Sequence, residues 1–388
     1  MNEKTHSSPI LTVAGFMSGT SLDGVDVGLL KTDGNTIFEV GPSLTLPYPK
    51  DFQEQLQHIL GIKTLTPEVI NVTQTLMTYH IQALQSLIEE SRYDTPDLLS
   101  VHGQTLFHQK RQWNPHQWYY EKGFTWQVCI PEQLIQAFNR PVVFDHRTND
   151  IEQGGEGAPL VPIFHFALAR SFADHFSLPI AFLNIGGVSN ITLIPTHQEK
   201  EMWAGDVGPG NALINDYVEK HFSLPYDAGG SLAAQGTIHK NLVQEWMKDP
   251  YFSEPFPKSL DRNMFAYVTH NLVSLSPLDS VATLTDFTVQ STLHALPKNL
   301  SVVLVCGGGR HNQTLMTSLQ TALSFPVFPC DDFPLTWPCG KRDAINGDSL
   351  EAYAFAYLGA RTYYGLSTSF PNTTGVPFPV VGGKIVYP

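Results

Sequence analysis

Positive charge, cysteine and long apolar runs are all scarce in this chain of 388 residues. Lys and Arg number 23 against 36 Asp and Glu, a formal net charge of -13. A surface that negative is a poor non-specific partner for nucleic acid or anionic lipid. An anionic small ligand is still compatible with it where backbone amides or a metal ion supply local positive potential. Four cysteines, Cys129, Cys306, Cys330 and Cys339, stand far apart and form no C-x-x-C pair, which argues against a disulfide framework or a zinc site. No apolar run is long enough to span a bilayer, and the opening MNEKTHSSPI has no apolar h-region. A cytoplasmic protein with no membrane or nucleic-acid partner is therefore expected, and the sequon at Asn190 carries no weight. The P-loop pattern G-x-x-x-x-G-K-S/T is missing, as are G-x-G-x-x-G, H-E-x-x-H and G-x-S-x-G.

What is present is an apolar chain, 42% hydrophobic and only 15% charged, able to bury a large core and long enough for two domains. LTVAGF enters a polar cluster, SGTSLDG, and VDVGLL leaves it, the pattern of two strands and a tight turn. DFQEQLQHIL and the stretch from Pro67 to Tyr93 carry helical spacing. LLSVHG and PVVF read as strands with the helix PEQLIQAF between them, and a further helix, PIFHFALARSF, follows Pro159. LPIAFLNIGGVSNITLIP then repeats the opening logic of apolar run, glycine turn and apolar run about one domain length later. Helices are expected over Ala212–Phe222, Leu260–Ser274, Ser280–Ala295 and Ser349–Tyr364, with the strand SVVLV ending in CGGGRHN. Two similar α/β halves in tandem fit this order, divided into residues 1–165 and 166–388, with the C-terminal segment able to return to the first half. The aromatic and basic stretch from His108 to Trp126 fits a surface loop or hairpin better than a nucleic-acid platform in so acidic a chain.

Three glycine turns, SGTSLDG, NIGGVSN and CGGGRHN, follow apolar runs. Each alone is ordinary hairpin chemistry; three spread over two halves suggest backbone donors gathered around phosphates. In WAGDVGPGNALIND, Asp206 precedes G-P-G-N and a helix. That stretch fits a helix boundary capped by Asn211, and equally a carboxylate given clearance by Gly205, Gly208 and Gly210 to act as a general base. DHRTNDIEQGGEGAPLVPIFH holds Asp145, Arg147, Asp150, Glu156 and His165. Arg147 can pair with a carboxylate or reach a sugar or phosphate oxygen, while His165 on an apolar helix face fits a core histidine.

Taken together, MSGTSLDGVD, HGQT (His102 to Thr105), the DHR…GGEGAPLVPIFH block, LNIGGVSN, GDVGPGN, VCGGGRHN, EAYAFAYLGAR and NTTGVPFPVVGGKIVYP resemble the anhydro-N-acetylmuramic acid kinase family, in family order over nearly the full chain. The resemblance implies two RNase H-like (actin-like ATPase) α/β domains packed around a central nucleotide and sugar cleft. It implies ATP and Mg²⁺, a small-molecule sugar substrate and a homodimer. The reaction it implies is hydrolysis of the 1,6-anhydro bond of anhydro-N-acetylmuramic acid with phosphorylation of O6. By position, Asp206 matches the family's base, and the run Gly19, Thr20, Ser21, Leu22, Asp23, Gly24, Val25 and Asp26 matches its ATP hairpin. Gly186, Gly187, Gly307, Gly308 and Gly309 are expected around the nucleotide, with Asp23 holding Mg²⁺ through water. Arg147 and Glu351 match residues on the sugar side; Asp150 joins them and is the alternative base.

The chain departs from the family at two places. It has Asp145-His146-Arg147 where DFR is common, and Glu156 where GGQG is common. Two other functions fit the same sequence: a kinase of another anhydro sugar such as levoglucosan, and a nucleotide-gated binding protein on the same fold.

Overall fold

The computed structural model describes residues 8–19, 21–110, 112–114, 119–121 and 123–388, with no side chains described between 111 and 122. Thr20 and part of the aromatic stretch 108–126 thus lie outside the described residues. The chain divides into two units, one of residues 1–171 with 334–388 and one of residues 172–333. Against the expected boundary at 165/166, the division falls at the end of the helix Pro162–Ser171, whose residues 162 to 169 are all buried. A helix apolar on every side cannot bridge to solvent, so it stays whole within the first unit.

The first unit holds a six-stranded sheet in the order Lys384–Val386, Val142–Phe144, Leu98–Val101, Leu11–Met17, Gly24–Thr32, Ile37–Pro47. Leu11–Met17 pairs antiparallel with Gly24–Thr32, with Gly15 opposite Gly28, and parallel with Leu98–Val101. The second unit has five strands in the order Trp203–Pro209, Val188–Ile194, Ile180–Ile185, Val302–Cys306, Val327–Pro329. Ile180–Ile185 pairs antiparallel with Val188–Ile194 and parallel with Val302–Cys306. Counted within its own unit, each sheet reads 3-2-1-4-5, with three antiparallel strands followed by two parallel ones. This is the RNase H-like order, used twice; the first unit adds one antiparallel edge strand.

The parallel steps require crossovers, and helices supply them. Pro67–Ser91 leads into Leu98–Val101; it starts where Thr66 Oγ1 accepts the Val69 N–H at 3.2 Å with Pro67 next, and buries Val69, Val72, Leu76, Met77, Leu84 and Leu87 on one face. Pro277–Ala295 plays the same part before Val302–Cys306, capped by Ser276 on the Asp279 N–H. The strands Leu98–Val101 and Val302–Cys306 are buried at every residue, as parallel strands covered on both faces must be.

The helix Leu350–Tyr363 explains why residues 334–388 group with the first unit. It is buried at nearly every position, and a Cβ on Gly15 would lie 2.0 Å from the Ala352 carbonyl oxygen and 2.3 Å from the Ala356 nitrogen. Its own Gly359 meets Ser100 in the same way, at 2.4 Å. Two glycines thus let the helix press directly on the first and fourth strands, closer than any side chain allows.

One expectation changes and two gain detail. Leu260–Ser274 does not form an α-helix: a 3-10 stretch runs Ala266–Leu272, preceded by turns in which Asp261 Oδ1 accepts the Asn263 N–H at 2.8 Å. Short polar side chains there satisfy the backbone locally, while the apolar spacing still buries Phe265, Val268 and Leu272. The described part of the 108–126 stretch is β structure, with Gln104–Gln109 paired to Phe124–Val128 and Gln112–Asn114 to Tyr119–Glu121. The cysteines are all free thiols, yet Cys306 and Cys330, distant in sequence, lie close enough for Cys330 to push the Cys306 thiol up. Among the described residues, no helix is long and apolar enough to cross a membrane.

Candidate active site

The opening turn joins Leu11–Met17 to Gly24–Thr32. Leu22 takes a φ of 59° and is only 9% exposed, an unusual conformation for a branched side chain that the turn holds by the Leu22 N–H donating to Gly19 O at 3.3 Å. Val25 is fully buried, and a Cβ on Gly24 would meet Leu46 O at 2.7 Å. Leu22, Gly24 and Val25 therefore shape the hairpin, and only their backbones are available to a ligand. Gly19 is different: its nearest neighbour to an added Cβ is Ser21 Oγ at 3.5 Å, so nothing among the described residues requires glycine there. Ser21 Oγ donates to Asp23 Oδ1 at 2.6 Å, and Thr45 Oγ1 to Asp26 Oδ1 at 2.5 Å. Burial raises the Asp26 carboxyl, the Thr45 bond opposes this, and the charges of Asp23 and Asp348 push it up further.

Arg147 follows the strand Val142–Phe144 and sits in a fully determined frame. Its Nε donates to His102 Nε2 at 3.0 Å and its Nη1 to Gly157 O at 2.7 Å. His102 Nδ1 contacts Gly103 O at 2.7 Å, so the ring carries its proton on Nδ1 and accepts on Nε2. Burial, then the charge of Arg147, holds His102 well below the ordinary imidazole value. Glu351, in the first turn of Leu350–Tyr363, is reachable by solvent, but surrounding protein raises its carboxyl; Arg147 opposes the rise and Asp26 adds to it. The opening turn, Arg147 and Glu351 thus share one electrostatic neighbourhood of the first unit.

Asp150 has no exposed surface: Oδ1 accepts the Gly157 N–H at 2.6 Å and Oδ2 the Thr374 hydroxyl at 2.5 Å. Both oxygens brace the 155–157 loop on which Arg147 leans. His146 precedes Arg147 in the chain. It is buried, packs edge-on against Phe355 at 5.2 Å, and meets Ser100 Oγ at 3.2 Å. Burial, then Arg147, lowers it to about 3, so it fills an aromatic site as a neutral ring.

In the second unit, three turns meet. The Gly186 and Gly187 carbonyls accept the Asn211 N–H at 2.7 Å and the Gly210 N–H at 3.0 Å, and a Cβ on Gly307 would lie 2.3 Å from Asn184 Oδ1. Gly307, at φ 72°, and Gly309, pressed on Ile185, are fixed by the fold. Gly186, Gly187 and Gly308 are not: an added Cβ would find only ordinary contacts at 3.6, 3.6 and 3.9 Å. Arg310 Nη1 holds Gly307 O at 3.1 Å while its Nε pairs with Asp331. Beside these turns lies a cavity of about 400 Å³ lined by Asn211, Asn215, Tyr226, Asp227, Gly308 and Asn312 among others, a size suited to a small ligand.

Asp206 lies on Trp203–Pro209, the edge strand of the second sheet. The register with Val188–Ile194 slips beside it, Asn190 opposing Asp206 and Ser189 opposing Gly208, a bulge of the kind that re-aims a side chain. Asp206 Oδ2 accepts the Leu260 N–H at 2.7 Å. The neighbouring glycines do not give the carboxylate clearance, as the sequence suggested; Gly205 packs on Phe256, Gly208 on Ser291 and Gly210 on Gly186. Asn211 does not cap with its side chain either, since its Nδ2 donates to Ile185 O at 3.0 Å.

Sequence reasoning missed His102, although HGQT stood out as a motif, and missed Tyr251, whose hydroxyl donates to Asp206 O at 2.8 Å, and Asp227 on the cavity wall, which carry no local signal beyond the DAGG turn. Among the described residues, no three His, Cys, Asp or Glu side chains are grouped closely enough to hold a metal ion by themselves. Asp23 and Asp26 nonetheless place two carboxylates at the opening turn, of the kind a Mg²⁺ takes when it keeps several waters and draws its other oxygens from phosphates.

Two units of one strand order, each with a glycine turn after its first strand, define a tandem RNase H-like protein. The chain matches the anhydro-N-acetylmuramic acid kinase family over residues 11–388, and it belongs to that family. A relative of that name from Gluconobacter oxydans (strain 621H) is 40% identical over 381 residues, spanning 96% of this chain and 99% of the relative. One from Roseobacter denitrificans is 41% identical over 97% of this chain and 95% of its own length. Among solved structures, component A of (R)-2-hydroxyglutaryl-CoA dehydratase from Acidaminococcus fermentans aligns with 90% of this chain and 99% of its own, at 11% identity and a TM-score of 0.43.

Proposed function

We propose that this protein is a hydrolytic sugar kinase that uses ATP to convert 1,6-anhydro-N-acetylmuramic acid into N-acetylmuramic acid 6-phosphate. Asp206 takes a proton from water as the water oxygen bonds to C1. The C1–O6 bond breaks, O6 captures the γ-phosphoryl group, and ADP leaves; one carboxylate is enough because the phosphoryl group, not an acid, receives the leaving oxygen. The observation that carries this reading is Asp206 itself, re-aimed by a bulge and fixed by the Leu260 N–H in a chain that belongs to this kinase family.

Phosphoryl transfer asks a protein mainly for positioning and charge neutralisation. Gly19, Gly186, Gly187 and Gly308 support the nucleotide assignment, because glycine without an internal steric reason lets a phosphate approach the backbone. Mg²⁺, when bound at Asp23 and Asp26, would neutralise phosphate charge. Arg147, held by His102 and Gly157, and Glu351 would orient the sugar, with Asp150 fixing the loop rather than touching substrate. Cytoplasmic cell-wall sugar recycling and a homodimer belong to the same reading; sedimentation at micromolar concentration checks the second.

Coupled ADP release with Mg-ATP tests the proposal, run with 1,6-anhydro-N-acetylmuramic acid, levoglucosan and N-acetylglucosamine. The expected product is heavier than the muramic substrate by one water and one phosphoryl group. Preference for levoglucosan would replace the substrate, and folded, ATP-binding protein with no sugar-dependent ADP release would overturn the enzyme.

A further inference from the structure

Asp206 is held from outside its own sheet at three atoms. Its N–H donates to Lys258 O at 2.8 Å, its carbonyl accepts the Tyr251 hydroxyl at 2.8 Å, and its Oδ2 accepts the Leu260 N–H at 2.7 Å. The holding segment is itself rigid. Tyr251 is 2% exposed and packs edge-on against Phe252 and Phe265, with centroids 5.5 and 5.9 Å away. Lys258, 8% exposed, donates its Nζ to Tyr251 O at 2.8 Å and lies 4.2 Å from the Tyr251 ring. A buried lysine spent on a backbone carbonyl and an aromatic face fixes the loop that carries it. The bulge beside Asp206 leaves the edge strand free to bend, and this segment removes that freedom.

We propose that Tyr251 and the Leu260 N–H are positioning groups for the reaction, setting the direction in which the Asp206 carboxylate meets the attacking water. The proposal rests on the reading of Asp206 as the base. A base must hold its proton acceptor within a few tenths of an ångström of the productive line, and small misplacements are costly in rate while leaving substrate affinity alone. The Tyr251 hydroxyl serves the backbone and the Leu260 amide serves the carboxylate, so both the origin and the aim of the side chain are specified.

The test compares Asp206→Asn, Tyr251→Phe and Leu260→Pro by steady-state kinetics on 1,6-anhydro-N-acetylmuramic acid, with ATP binding and thermal melting measured on each. Tyr251→Phe keeps the ring and removes only the hydroxyl. It should lower kcat by about tenfold to a hundredfold, with the KM of sugar and ATP unchanged. Leu260→Pro removes the amide donor and should give the same split, which keeps the test alive if Tyr251→Phe fails to fold. A wild-type kcat in folded Tyr251→Phe or Leu260→Pro, beside an inactive Asp206→Asn, would overturn the positioning role and leave the base in place. A loss of melting temperature with unchanged kcat would make the bonds merely structural. A fully active Asp206→Asn would instead remove the base, and the positioning role with it.

Discussion

In the first unit, the turn after the opening strand bends through Leu22 at a φ of 59° and leaves Gly24 no room for a Cβ; in the second, a Cβ on Gly186 or Gly187 would meet only ordinary contacts at 3.6 Å. The two turns occupy the same place in the same topology. Around the first lie the charges Asp23, Asp26, Arg147 and Glu351; beside the second lie backbone carbonyls, Asn211 and a cavity with Asp227. The same turn position has thus been filled with unlike chemistry: charge around one turn, backbone carbonyls and a cavity beside the other. Gly24 of the first turn answers to the fold, whereas Gly19 there and Gly186 and Gly187 in the second meet only ordinary contacts, as the proposed nucleotide site requires.

The sharpest way to break this division is at Asp206, the carboxylate of the second unit. Asp206→Asn should cut turnover by roughly 10²–10⁴-fold while ATP binding and melting stay as in wild type, read by ADP release and calorimetry. The first unit is next. Gly15→Ala places a Cβ 2.0 Å from Ala352 O, backbone that cannot swing aside, and should destabilise by about 3 kcal/mol in denaturant unfolding.

Acid separates the units in a third way. Among the described residues, the four buried histidines, His80, His102, His146 and His165, all belong to the first unit. Burial lowers His80 to about 4 and His146 and His165 to about 3, from an ordinary 6.5. Each is neutral when folded and takes a proton on unfolding, so their contribution is present above pH 6.5 and declines as pH falls toward 4 and then 3. Hydrogen exchange should show residues 1–171 losing protection over that window before residues 172–333; simultaneous loss would contradict the division. The smallest effect is at an open turn. Gly187→Ala should leave stability within about 0.5 kcal/mol and weaken ATP binding by about tenfold, whereas a loss of stability would show that the turn is tighter than its 3.6 Å spacing to Ala212 implies.

How much of this was legible in the sequence follows from distance along the chain. The hairpins, their glycine turns and the helix Ala212–Phe222 were written locally, in periodicity and turn chemistry, and appear with nearly the expected limits. Asp206 stood out through its motif. What holds it did not, because Tyr251 and Leu260 are 45 and 54 residues away and carry no pattern until the chain is folded. The closeness of Cys306 to Cys330 was hidden for the same reason, as was the burial of Asp150 against Thr374, 224 residues apart. Glycine's ambiguity is of another kind: Gly208 and Gly308 look alike in sequence, and only the neighbour at 2.5 Å in one case and 3.9 Å in the other tells packing from access.

The helix Leu350–Tyr363, seated on Gly15, also sets a timetable. Residues 172–333 form a continuous stretch and can fold as soon as they leave the ribosome, whereas the first unit waits for a helix made from residues that follow the second unit. The half that is synthesised first is completed last. Until then its central strand, Leu11–Met17, lacks the helix that covers it, and a nascent chain stalled before residue 350 carries a finished second unit while the first unit's sheet stays open.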